Sequence, residues 1–227
     1  MKKISKSKGR VSRRPALEPL TTIYLIRHCQ PDYSLQKKLG DANMPLSRNG
    51  RRQADYLAEQ LKKLGVQVIY SSAMERSLQT AAAFARHKKG AYEVREDLNE
   101  FDWGFWYRVK YFDVLVSERG RRIKKKEEMR NILSKKKQLT KKVLADIIDK
   151  NPGKTVAVFT HGNFIRALLM GILDADIFGF LSLEIFQASV SKLIIDRQGN
   201  VVVSYINDVS HLPRRPIIDQ LLSALKH

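Results

Sequence analysis

A single cysteine in 227 residues excludes an internal disulfide framework and a cysteine-rich metal site, and it points to a reducing compartment. No stretch approaches the roughly 18 consecutive apolar residues of a membrane-spanning helix, and residues 1–20 hold no apolar segment of the secretory kind. Neither insertion nor export is therefore expected, and the expected location is cytoplasmic. Acidic residues are also scarce at the start, where none precedes Glu18. That basic, serine-bearing opening loosely resembles an organelle transit peptide, but it lacks the strong amphipathic helix of such peptides. No internal repeat or low-complexity domain is present.

Positive charge is what the chain has in excess. Forty-two Lys and Arg against 23 Asp and Glu give a formal net charge of +19. It is concentrated: residues 1–20 hold seven basic residues against one Glu, and residues 119–142 hold twelve against two. Two separable basic segments suit a non-specific polyanion contact through 119–142, or simply a solvated tail and a solvated helix face. Interleaved aromatics are missing there, so any nucleic-acid contact is expected to be electrostatic and sequence-blind. At 43% hydrophobic residues, the chain can fill one core. The expected organisation is a basic flexible tail over 1–20 and a single domain over 21–227, with a basic helical segment at 119–150.

Beyond the tail, strand and helix periodicities alternate. Residues 21–27 read as a buried strand. Ser47 is a candidate N-cap for a helix carrying Ala54, Leu57, Ala58, Leu61 and Leu64 on one face and stopping at Gly65. Residues 66–72 form a second strand that runs directly into the alanine-rich helix 73–87, and residues 91–94 form a short third strand. In 119–150, Met129, Ile132, Leu133, Leu139, Val143, Leu144, Ile147 and Ile148 make an apolar stripe under the lysines. "TVAVFT" is a strand entering the helix "NFIRALLMGIL", and residues 188–208 read as two alternating strands around "DRQGN". The implied fold is three-layer α/β/α with a mostly parallel mixed sheet.

Polar residues gather where the strands end: Arg27 and His28 after the first, Ser71, Ser72 and Arg76 after the second, Glu100 after the third, His161 and Gly162 after the fourth. If those strands are parallel neighbours, all four ends open on one edge. Two arginines, two imidazoles and a carboxyl suit phosphoryl transfer, which consists largely of positioning and charge neutralisation. The arginine fork matches phosphate oxygens, a neutral imidazole can attack phosphorus, and a carboxylic acid can protonate the leaving oxygen. Helix N-termini after Ser72 and Gly162 would aim N–H groups at the same anion. No cofactor and no metal are implied.

Together "LIRHCQPDY", "YSSAMERSLQTA", "LNEFDWGFW", "VAVFTHGNFIRALL" and "NDVSHL" resemble the histidine phosphatase superfamily, the phosphoglycerate mutase-like enzymes. The resemblance runs over about 21–212 and is weakest over 105–150. It implies His28 as the nucleophile that becomes phosphohistidine, Arg27, Arg76 and His161 as the clasp on the phosphoryl oxygens, and Glu100 as the acid that later activates water. Departures from the family pattern are Cys29 in place of a usual glycine, Ser34 in place of a usual asparagine, Arg108 in place of a second glycine, and a missing Gly-Glu-Ser element. The Gly-Trp-x-Asp element of the mutases is missing from "SLQKKLGDANMPLSRNG", so hydrolysis is favoured over a phosphoglycerate-type mutase. The third alternative is a polyanion-binding protein on an enzyme-like fold. The expected partner is a phosphorylated small molecule or a phosphoprotein.

Three further expectations concern single residues. Cys29, beside two cationic groups, is either a plain small residue or a stabilised, peroxide-sensitive thiolate. Phe101, Trp103, Phe105, Trp106, Tyr107, Tyr111 and Phe112 are candidates for lining the leaving-group side or for core packing. "PIIDQLLSALKH" reads as an amphipathic helix docking on the body or on a second subunit.

Overall fold

A computed structural model describes residues 20–88, 91–101 and 119–213, with side chains of the last segment from residue 127 onward. The tail, most of the aromatic stretch and the C-terminal "PIIDQLLSALKH" lie outside the described residues. The first apolar run is strand β1 (Thr21–Arg27). It lies inside the sheet, parallel to β4 (Thr155–Thr160) and antiparallel to β5 (Val190–Ile195). On the far side of β4, strands β2 (Val68–Ser72) and β3 (Glu93–Arg95) continue the parallel half. Strand β6 (Val201–Asp208) pairs antiparallel with β5, and the order is β3-β2-β4-β1-β5-β6.

Period-two alternation in β1 and β4 feeds two helical layers. Ile23, Leu25, Val156 and Val158 pack toward α4 (Arg119–Lys150), α5 (Gly162–Ile172) and α6 (Ile177–Ser182), meeting Leu133, Leu144, Ile147, Phe164 and Phe180. Tyr24, Ile26, Ala157 and Phe159 face the other way, against Leu57 and Leu61 of α2 (Arg48–Lys62) and Phe84 of α3 (Glu75–Lys88). This is the three-layer α/β/α arrangement. The one-turn helix α1 (Gln36–Leu39) precedes α2, which Ser47 caps by accepting from Gly50 N, as its residue type predicts.

Two local expectations differ from the structure, and one helix carries no sequence expectation. The third strand is Glu93–Arg95 rather than 91–94; it is an edge strand with Glu93 and Val94 both exposed, so no buried alternation marks its register. Leu139 is 43% exposed and off the stripe, while Thr140 is fully buried. Thr140 turns its hydroxyl onto the carbonyls of Lys136 and Lys137, which lets a polar residue occupy a core position. Helix α6, capped by Asp176, is too short to show a period.

Candidate active site

The register that pairs Arg27 with Thr160 carries the next residue of each strand, His28 and His161, to the same edge. His28 N donates to Thr160 O at 2.9 Å, and the two imidazole centroids are 5.0 Å apart. Because β1 leads to α2 on one face and β4 to α5 on the other, the chain parts here and leaves the crevice where open α/β sheets hold ligands.

Five residues singled out in the sequence meet in that crevice. His28 is 3% exposed, and its Nδ1 lies 2.8 Å from Cys29 O, so Nδ1 carries the proton and donates it while Nε2 keeps its lone pair. Arg76 Nε donates to that Nε2 at 3.2 Å. The outer nitrogens of Arg76 are held by Asp41 and Met74: Nη1 donates to Asp41 O at 2.6 Å, and Nη2 donates to Asp41 Oδ2 at 3.1 Å and to Met74 Sδ at 3.4 Å. Arg27 Nη1 donates to Ile185 O and lies 3.9 Å from Glu184 Oε1. A Cβ at Gly162 would come within 3.3 Å of Arg27 Cζ and Nε, so only glycine lets the guanidinium lie against the start of α5 without displacement.

His161 Nε2 is 2.6 Å from Ser72 Oγ, which already accepts from Met74 N. A hydroxyl can accept a second bond, so this contact fits either tautomer; with the serine proton directed at Nε2, His161 carries its own proton on Nδ1. That buried Nδ1 and the buried Arg27 Nε have no hydrogen-bond partner among the described residues. Glu100 accepts from Asn163 N and Phe101 N, both at 3.2 Å, and its loop is pinned by Thr160 Oγ1 donating to Leu98 O.

Burial sets the protonation states. Loss of water, then the neighbouring His161, Arg27 and Arg76, hold His28 well below the usual imidazole value against the opposing Cys29 carbonyl. His161 is lowered in the same way by burial and by Arg76 and Arg27. Glu100 moves in the opposite direction: burial raises its carboxyl despite two backbone N–H groups and both arginines. The pair thus reaches the crevice as neutral bases beside a carboxyl that keeps its proton to higher pH.

Other expectations change on contact with the structure. Three N–H groups at the approaches to α3 and α5 are engaged by side chains, Ala73 N by Asn99, Met74 N by Ser72 and Asn163 N by Glu100. Ser34 donates its hydroxyl to Asp32 Oδ1 at 2.6 Å on the exposed surface. Lys136 lies over the Phe101 ring and Lys137 donates to Ala175 O, so these two lysines are partly committed to the body. Cys29 is fully buried and burial pushes its thiol up to about 12, the reverse of a stabilised thiolate. Native protein is accordingly expected to give no thiol titre with Ellman's reagent until denaturant is added, and peroxide is expected to leave activity unchanged. Rapid labelling of the native thiol would contradict this.

Asp41, Ser72, Glu184 and Arg166 complete the site. Asp41 and Glu184 come from loops with no sequence signal. Arg166 follows Gly162 by four residues, so helical spacing alone places it on the same face of α5.

Comparison with known proteins shows the family. The sequence profile described as histidine phosphatase superfamily (branch 1) matches residues 23–208. Phosphoserine phosphatase 1 of Hydrogenobacter thermophilus is 25% identical over 201 residues, 85% of this chain and 95% of that protein. A probable phosphoglycerate mutase GpmB of Cronobacter sakazakii is 26% identical over 216 residues, 88% and 98% of the two chains. The fold superimposes with a TM-score of 0.67 on a phosphoserine phosphatase from Entamoeba histolytica in complex with phosphoserine, at 22% identity, covering 85% of this chain and all of that one.

Proposed function

Because the chain belongs to the histidine phosphatase superfamily, we propose that it is a metal-independent phosphomonoester hydrolase acting through a phosphohistidine on His28, with Glu100 as general acid and base. The observation that carries this reading is the clamp on His28: Nδ1–H tied to Cys29 O, and Nε2 facing the Arg76 guanidinium. Arg76, Arg27 and the Nδ1–H of His161 take the phosphoryl oxygens, which releases the Nε2 lone pair. Nε2 attacks phosphorus, the bond to the ester oxygen breaks, and Glu100 gives its proton to the departing alkoxide. The Glu100 carboxylate then removes a proton from water, whose oxygen attacks phosphorus. The P–N bond breaks, orthophosphate leaves, and His28 returns neutral. The substrate is a phosphorylated small molecule, as the names of the relatives support, and the site of action is cytoplasmic. Hydrolysis is preferred to mutase chemistry because the loop 34–46 lacks the mutase element. The basic segment 119–142 is a secondary, salt-sensitive surface for polyanions.

Turnover requires neutral His28 and protonated Glu100. The lowered imidazole and the raised carboxyl widen the interval over which that combination exists, with His28 protonation ending activity at low pH and Glu100 ionisation ending it at high pH. Glu100→Gln is expected to lower kcat/KM, which reports the phosphorylation step, by about 10²- to 10⁴-fold for an alkyl phosphate and much less for para-nitrophenyl phosphate, whose leaving group needs little proton help. It should also flatten the alkaline limb of kcat/KM. Equal losses on both esters would remove Glu100 from the acid role.

A further inference from the structure

Each arginine of the proposed clasp has a carboxylate against it, Glu184 at 3.9 Å from Arg27 and Asp41 at 3.1 Å from Arg76. The Asp41 contact is the tighter one. Arg76 is 4% exposed, whereas the Asp41 side chain is 53% exposed. A guanidinium has five N–H donors in one plane. Asp41 takes the outer end of that fork with two acceptors of its own, the main-chain oxygen on Nη1 and Oδ2 on Nη2. The inner side is left to weaker bonds, with Nε facing His28 Nε2 at 3.2 Å and Nη2 reaching the Met74 thioether at 3.4 Å, a poor acceptor.

The clamp is fixed to the same helix as the arginine. Ala42 O accepts from Glu75 N at 2.9 Å, at the start of α3 and one residue before Arg76, and Leu46 N donates to Gln79 Oε1 one turn further on. The chain enters this loop at Gly40, whose φ of +77° suits glycine. An anion arriving at the inner side of the fork therefore has only His28 and Met74 to displace. It still feels Asp41, because a fixed carboxylate on Nη2 offsets part of the charge that the guanidinium offers. An amide would supply the same acceptors, so the charge of Asp41 exceeds what holding the fork requires.

We propose that Asp41 is a positioning residue whose charge limits the affinity of the pocket for orthophosphate: it holds Arg76 end-on and keeps the product from being trapped. This rests on the phosphatase reading, in which ester and product are held by the same groups, Arg27, Arg76 and His161. Orthophosphate presents the same oxygens as the ester it came from, so a pocket that neutralised them fully would stay filled. Asp41 weakens both, which raises KM and speeds release, an exchange that favours turnover when substrate is plentiful.

The test is titration of orthophosphate into the wild-type protein and Asp41→Asn, by calorimetry and as inhibition of para-nitrophenyl phosphate hydrolysis. Asparagine keeps an oxygen for Nη2 and removes only the charge. Kd and Ki for orthophosphate are expected to fall about fivefold in that variant, the upper end for an exposed ion pair. KM for para-nitrophenyl phosphate should fall alongside, with no rise in kcat, and added salt should narrow the difference between the two proteins. Asp41→Glu keeps the charge and should stay near the wild-type Kd. If Asp41 only held Arg76 in place, Asp41→Asn would leave Kd unchanged or weaken binding, and either result, with ester hydrolysis intact, would overturn the proposal alone. Orthophosphate binding as tightly to Asp41→Glu as to Asp41→Asn would overturn it too, since shape and not charge would then be responsible. Failure of the wild-type protein to hydrolyse para-nitrophenyl phosphate would overturn the phosphatase reading as well.

Discussion

Replacing His28 by alanine is expected to abolish turnover of para-nitrophenyl phosphate, a loss of about 10⁴-fold or more on the scale of other deleted nucleophiles. The arginines would still hold the ester, but no protein atom would be left to form the bond to phosphorus. Rapid acid-free denaturation of the wild-type protein during turnover should trap phosphate bound to nitrogen, stable to base and labile to acid, and the variant should trap none. A chelator added to the wild-type reaction should change nothing, because Arg27 and Arg76 supply the neutralising charge. The side-chain bonds of His28 run to the adjacent Cys29 carbonyl and to Arg76, whose guanidinium is also held by Asp41, so the variant is expected to melt cooperatively. Retained turnover in the variant, or activity that a chelator removes, would refute the mechanism.

The second large effect lies away from the chemistry. Gly50 sits in the first turn of α2, and a Cβ there would meet Gln30 O at 2.0 Å and Gln30 C at 2.9 Å. Those are backbone atoms two residues past the nucleophile. Gln30 is fastened on several sides: its N accepts no slack, donating to Gln53 Oε1 at 2.8 Å, and its side-chain oxygen accepts from Ser47 and Asn49. Nothing nearby can yield cheaply, so either α2 lifts away or the loop carrying His28 shifts. Gly50→Ala is expected to destabilise the protein by about 3 kcal/mol, at the upper end of overpacking. That corresponds to a lower Tm by roughly 6–12 °C for a chain of this size. Displacing the imidazole by about an ångström should reduce kcat by about 100-fold. Calorimetry and steady-state kinetics check both, and an unchanged Tm would show that the contact is not tight in solution.

How far the sequence carries depends on whether the signal is local. β1 and β4 are continuous apolar runs, Ser47 is a capping residue in the right place, and the spacing of Leu57 and Leu61 shows which face of α2 is buried, so the layers were legible. The five proposed site residues were legible for a related reason: each follows a strand, and parallel strands deliver their ends to one edge. Asp41 and Glu184 were not, because each acts through a contact made across the fold, 35 residues from Arg76 in one case and 157 from Arg27 in the other. Leu139 was misread because hydrophobicity stood in for phase. Thr140 sits at the buried angle of α4 and solves its polarity by bonding back to its own helix. Edge strand β3 and helix α6 are too short for either period to register.

The sealed imidazoles of His28 and His161 also govern how the protein tolerates acid. An unfolded chain gives both rings to water, where each binds a proton near the ordinary value of 6.5, whereas the native rings resist until well below it. Through that interval the unfolded chain binds more protons, so acidification draws the equilibrium toward it by up to about 1.4 kcal/mol per pH unit for each ring. The imidazole contribution is complete once the pH exceeds the ordinary value of 6.5, and the raised Glu100 carboxyl opposes it, because above its ordinary value of 4.5 the unfolded chain gives up that proton first. The same burial that readies the two rings for the reaction is thus what acid exploits to unfold the protein.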